Sequence, residues 1–297
     1  MGVGSFFIII DRMLRRQRTG SVICSSCGLL VGVNDAKCYN CGRRHPGLWG
    51  YAPLLRTLGA DLGLIPFIMG TCAVVYLLTL VSSGGMMGQG SPLSFLGPNN
   101  RALLLFGESG AVPIFLYHRW WTVLSAGWLH AGLLHIAFNM MALWQLGPVT
   151  AEFYGPGRTV IIYTAGAVAG FALSSCAAIF LPALPFLHGS LFTVGASASI
   201  SGLIGALMYY GRRTGSHIVK AEATRYVLYL VFYGILMSSV GIDNYAHAGG
   251  FGGGYLAAML LDPLKPERGD HVMIAIICLA LSIASIVASV VLGLRFV

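Results

Sequence analysis

The chain has 297 residues, 56% of them apolar and only 9% charged, with a formal net charge of +8. Soluble domains carry about 25% charged residues, so the composition excludes an ordinary soluble protein and points to a membrane protein. The positive charge does not call for a nucleic-acid partner, because its placement along the chain reads as a topology signal and an attraction to anionic lipid head groups.

The apolar stretch Phe6–Ile10 is too short for a cleavable signal peptide and runs into Asp11 and a basic cluster. Cys24, Cys27, Cys38 and Cys41 then form C-x2-C-x10-C-x2-C. Each pair presents two thiolates on a tight knuckle, and the spacer folds them into one tetrahedral site that suits structural zinc. Gly28 and Gly42 follow the pairs and supply the backbone freedom such knuckles use. Disulfides are disfavoured because a basic cytoplasmic segment sits in a reducing compartment. Residues 1–48 are therefore expected to be a zinc-ribbon module, fit for stability or for contact with a cytoplasmic protein partner, and 49–61 a linker. Nucleic acid is not an expected partner.

Seven apolar runs follow, at about 62–83, 123–147, 159–181, 197–211, 226–241, 245–261 and 272–293. Each approaches the roughly 20 residues a helix needs to cross a hydrocarbon core. A cytoplasmic N-terminus gathers Arg12, Arg15, Arg16, Arg18, Arg43, Arg44, Arg56, Arg158, Arg212, Arg213, Lys220, Arg225, Lys265 and Arg268 on one side, leaving Arg101, Arg119 and Arg295 on the other. Gly84 to Trp121 forms an unusually long connection, a length that usually serves function. Cys72, Cys176 and Cys278 lie in apolar runs and read as small packing residues. His45, His118, His188, His217 and His271 fall in loops or at span ends.

Ionisable side chains at membrane depth are costly and are functional candidates by default. The second run is expected to carry His130, His135 and Asn139 on one helix, with the last two sharing a face. The fourth opens with Ser197, Ser201 and Gly205 at i, i+4 spacing, and the sixth carries His247, Gly250 and Gly254 on one side. Such stripes of small residues permit close helix approach. Counting helix rise from the nearest cytoplasmic charge puts Ser197 and His247 roughly 22 Å up, and Asn139 and His135 roughly 20 and 25 Å. All four reach one layer. An isolated helix serine ordinarily bonds its own backbone and a lone histidine ordinarily packs. Their coincidence at one depth instead suits a serine activated by a histidine base. Donors for an oxyanion are available from the free N–H groups at the start of the fourth helix and from His135 and Asn139.

These residues carry a resemblance to the rhomboid family of intramembrane serine proteases over about 60 to 265. The H-x4-H-x3-N array, Gly195-Ala196-Ser197, and Ala246-His247 with Gly250 and Gly254 are similar to three of its motifs, in the same order. The resemblance implies an all-α polytopic protein with a six-helix core over 62–265 and an added seventh transmembrane helix within 266–297. It implies Ser197 as nucleophile, His247 as base, and His135 with Asn139 as oxyanion stabilisers. His130, Gly195, Gly250 and Gly254 are implied as structural neighbours. The implied activity is hydrolysis of peptide bonds in or near transmembrane segments of client proteins. It needs no cofactor for catalysis, and the expected location is the lipid bilayer of a bacterial inner (plasma) membrane. The alternative is a catalytically silent relative that binds and escorts such clients.

Three departures stand out. Ala198 replaces the family's usual glycine after the serine, and its methyl is expected to crowd the nucleophile turn. Ser201 stands where an aromatic residue often stacks on the histidine. Arg119-Trp120-Trp121 reverses the usual Trp-Arg order. Ser199 and Ser201 are rival nucleophiles, about 200° around the helix and one turn deeper respectively.

Overall fold

A computed structural model describes residues 16–25, 27–53, 59, 61–84, 95–184, 187–237 and 241–294. Phe6–Ile10, Arg12, Arg15, Arg56 and Arg295 lie outside the described residues, as do 85–94 of the long connection. The helices are α1 (Leu64–Ser82), the short α2 (Asn100–Phe106), α3 (Leu133–Tyr154), α4 (Pro156–Phe180), α5 (Ser197–Thr214), α6 (His217–Leu236), α7 (Asn244–Leu261) and α8 (Gly269–Gly293). Apart from α2, each has at least 18 residues, which makes six core helices and a seventh.

By length and composition alone, α1, α4 and α8 qualify as membrane spans, and α3 joins them when taken with the short helical turns before it. Arg212 and Arg213, with the serines and glycines, dilute the hydropathy of α5, and Asn244, His247 and the glycines dilute that of α7. Lys220, Glu222 and Arg225 dilute that of α6. These charges also explain why α6 begins nine residues before the apolar run at 226: Ser216 caps it by accepting from Val219 N (3.4 Å), outside the apolar stretch.

The second run is not one helix, which corrects the expected placement of His130. Helical turns at Thr122–Ser125 and Ala126–Trp128 end at Leu129, whose backbone is extended, and α3 leaves at 93° after an equally extended Gly132. His130 therefore sits in the break, fully buried, with its ring 5.2 Å from that of His135.

The long connection is largely folded. Asn99 caps α2 by accepting from Ala102 N (2.8 Å), and Arg119 donates to Leu104 O (3.3 Å). Residues 109–112 pair with 190–193 through Ser109 and Thr193 (3.1 and 2.8 Å), Ala111 N to Ser190 O (3.0 Å) and Val112 N to Leu191 O (3.2 Å). Helix α8 clamps the far side: Trp121 Nε1 donates to Ser289 Oγ (3.0 Å), and Ser285 Oγ donates to Trp121 O (2.7 Å). These buried serines explain how a helix so apolar finds one fixed seat in lipid, where polar pairing rather than hydrophobicity selects the docking face.

At the opposite end, Arg158 is buried in the first turn of α4. Its guanidinium donates to Tyr154 O and to the carbonyls of Leu261, Asp262 and Lys265 (2.9, 3.0 and 2.9 Å), and the backbone N–H of Arg158 donates to Glu267 Oε1 (2.8 Å). The carbonyls left open at the end of α7 thus meet a fixed cation.

The N-terminal module is a two-stranded antiparallel hairpin, β1 (Ser21–Ile23) and β2 (Leu30–Gly32), over a core of Val22, Val31 and Val33. Its two knuckles repeat one pattern: Gly28 N donates to Cys24 O (3.1 Å), and Gly42 N to Cys38 O (3.0 Å), each glycine at positive φ. The four thiols lie within 4.8 Å of one another, with Cys24 to Cys41 at 3.7 Å and Cys27 to Cys38 at 3.6 Å. Tetrahedral zinc at about 2.3 Å from each sulfur separates them by about 3.8 Å, so the set fits that ion. Burial alone would push the Cys27 thiol up, but hydrogen bonds with Leu29 and Asn40 bring it down to about 6, towards the thiolate a metal takes.

Candidate active site

The site is built where α5 and α7 touch through their backbones. A methyl on Gly254 would be driven into Gly202, and one on Gly250 into Ala198 O. The face of α5 that meets α7 is therefore Ala198, Gly202 and Gly205: Gly205 belongs to the expected stripe, while Ala198 and Gly202 stand in place of Ser197 and Ser201. Ser197 instead stands at the edge of this contact, half-buried, as the first residue of α5. His247 lies one turn into α7, and its Nε2 is 2.9 Å from Ser197 Oγ.

Gly195 makes the turn into α5 at φ +130, and a side chain there would stand 2.6 Å from His135 Nε2. Only glycine serves both demands. Ile200 is the first residue whose N–H closes onto α5, bonding Ala196 O (2.9 Å). The N–H groups of Ser197, Ala198 and Ser199 are left without a partner among the described residues. His135 Nδ1 accepts from Ala131 N (3.3 Å), which assigns the ring proton to Nε2, the nitrogen facing Gly195. Asn139 Nδ2 donates to His135 O (2.9 Å), which fixes the amide at the same face of α3.

Ser197, His247, His135 and Asn139 all line one cavity of about 750 Å³, walled by apolar side chains of α3 and by Tyr226, Tyr229, Leu230 and Tyr233 of α6. The rival serines are turned away. Ser199 is fully buried beside a void of about 10 Å³ shared with Tyr163 and Ser282, and Ser201 Oγ donates to Ser197 O (2.8 Å). The other histidines stand apart: His45, His118, His188 and His217 are exposed, and His271 begins α8.

The sequence reading missed three residues. Asp243 caps α7 by accepting from Ala246 N (2.9 Å) and also accepts from Ser174 Oγ (2.6 Å), which in turn accepts from Ser190 N (3.1 Å). Glu108 lines the cavity from the long connection. Ser174 was findable by the depth rule applied to His247, as a polar side chain in the third apolar run. Asp243 sits between two runs, where a charge passes for a boundary marker, and Glu108 sits inside the long connection, where a charge is unremarkable.

The molecule is a multi-pass helical membrane protein whose serine and histidine meet at the wall of a cavity between its helices. Residues 117–263 match the rhomboid domain family. The chain is 30% identical to "Rhomboid protease GluP" of Bacillus subtilis (strain 168) over 189 residues, 62% of this chain and 34% of that one. It is 30% identical to "RHOMBOID-like protein 4" of Arabidopsis thaliana over 177 residues, 59% of this chain and 42% of the relative. It is also 26% identical to "Putative rhomboid protease YdcA" of Bacillus subtilis (strain 168) over 151 residues, 50% and 71% respectively. The first two relatives are thus matched over less than half their length. Residues 117–263 are thus a rhomboid domain.

Proposed function

We propose that this protein is an intramembrane serine protease that hydrolyses peptide bonds in or near transmembrane segments of client proteins. The observation that carries the reading is the 2.9 Å contact between Ser197 Oγ and His247 Nε2 at the cavity wall. Ser197 Oγ attacks the scissile carbonyl carbon while its proton passes to His247 Nε2. The oxyanion is met by the free N–H groups at the start of α5, by His135 Nε2–H and by the Asn139 amide. Collapse of this intermediate expels the amine, which takes the proton from His247, and leaves an ester on Ser197. A water deprotonated by His247 then hydrolyses that ester and regenerates the pair. Two of the relatives are named as proteases, which supports the same reading.

The four cysteines supply a structural zinc site on the cytoplasmic side in this proposal, within a module over 1–48, and the host membrane is a bacterial inner membrane. Closed four-thiolate coordination leaves no position for a catalytic water. The test is a fluorophosphonate label together with cleavage of a model transmembrane substrate by purified protein. Wild type is labelled at Ser197 and cuts the substrate, whereas Ser197→Ala and His247→Ala do neither. Cleavage retained by Ser197→Ala overturns the assignment. A folded wild type that binds the client but is neither labelled nor active favours the escort alternative.

A further inference from the structure

Glu108 is a carboxylic acid with 6% of its surface exposed, and it lines the same cavity as Ser197 and His247. Its carboxylate makes no hydrogen bond or ion pair among the described residues, and its oxygens are not fully enclosed but open to the cavity. The fold nevertheless fixes its place. Glu108 N donates to Leu103 O (3.0 Å), and the next residue, Ser109, is bonded on both sides to Thr193, four residues before Ser197. Thr193 and Val194 line the cavity beside it. A carboxyl with so little exposed surface and no partner among the described residues is costly to ionise, and the cavity is the one place from which a partner can reach it.

We propose that Glu108 is a specificity-determining residue, which receives the basic side chain of a lysine or arginine close to the scissile bond of the client. This rests on the proteolytic reading of the cavity. A cation brought in by the client restores the charge that burial withholds, in surroundings where a charge-assisted hydrogen bond is strong. Burial pushes the Glu108 carboxyl up to about 8, consistent with an acid that awaits a partner. The ionisable groups that share the cavity with it are His135, His247, Asp243, Tyr226, Tyr229 and Tyr233, and the uncharged polar ones are Asn100, Asn139, Thr193 and Ser197; no lysine or arginine is among them.

The experiment scans a single lysine, with methionine as the apolar match, through the residues flanking the cleaved bond of a model transmembrane substrate. For wild type the kcat/KM ratio of lysine to methionine is expected to reach about tenfold at one position, the size of one charge-assisted bond. In the isosteric Glu108→Gln the ratio falls to near one. An equal ratio in both proteins, or no preferred position in wild type, overturns the proposal. Binding of the same labelled peptides to Ser197→Ala in detergent, read by fluorescence anisotropy, measures the preference without cleavage. If that preference persists while wild type cuts nothing, the proteolytic reading fails alone. If wild type cuts every substrate without preference, only the role of Glu108 fails.

Discussion

Ala198 shows how a departure read from sequence resolves once its neighbours are known. Its methyl faces α4, where Gly170 makes room for it, and the residue is fully buried away from the cavity. Ala198→Gly is therefore expected to lower stability by about 1 kcal/mol, through a small void and a glycine in a helix, without raising turnover. Thermal unfolding in detergent beside a cleavage assay checks it. Asn139→Ala removes one oxyanion donor and should lower kcat by about a hundredfold or more with little change in KM. A change confined to KM would count against that role. Glu108 also sets a pH dependence. Its folded carboxyl, raised from 4.5 to about 8, holds a proton that the unfolded chain releases, so its contribution to stability falls as pH rises across that window. Glu108→Gln should flatten the fall in Tm between pH 5 and pH 8; the other titratable side chains facing the cavity are His135, His247, Asp243, Tyr226, Tyr229 and Tyr233. Ser197, His247, His135 and Asn139 were legible because polar groups are rare at depth. Glu108 was not, because pairing, or its absence, exists only in three dimensions.

Among the elements, the contact of α5 with α7 sets the spacing of the serine and histidine. Gly254→Ala presses a methyl onto the backbone of Gly202, whereas nothing lies within 4 Å of a methyl on Gly252. The first change should lower Tm by several degrees and reduce cleavage, since overpacking costs about 1–3 kcal/mol, while the second acts as its control. Equal behaviour of the two variants would contradict the packing described. The small-residue character of both helices was plain in the sequence, but the contacting face was displaced by one position. Periodicity names a stripe and leaves open which neighbour it meets. The break before α3 was likewise hidden, because Leu129 and Ala131 are as apolar as the helix that follows, and only Gly132 hinted at a turn. The clamp of Ser285 and Ser289 on Trp121 was equally out of reach, since its partners are 164 and 168 residues apart.

For the whole molecule, hydropathy matched the number of long helices among the described residues, because each must approach the span of a bilayer, but it missed the break before α3 and the early start of α6. Connections escaped that reading: the stretch before Trp121 is built from local caps and distant pairings that leave no period. Removal of residues 1–48 should preserve cleavage of a generic substrate, and elemental analysis of the full chain should find one zinc that Cys24→Ser with Cys38→Ser abolishes. Loss of all turnover in a well-folded truncation would show that the module takes part in the chemistry. A consequence also follows from Asp243. One of its oxygens holds the first turn of α7, which carries His247. The other holds Ser174 and through it Ser190, at the head of the segment that leads to Ser197. Two side chains fifty residues apart in sequence are thus surveyed from a single benchmark. When the helices drift in a fluctuating bilayer, both ends of the gap between Oγ and Nε2 drift with that mark, and the gap itself keeps its width.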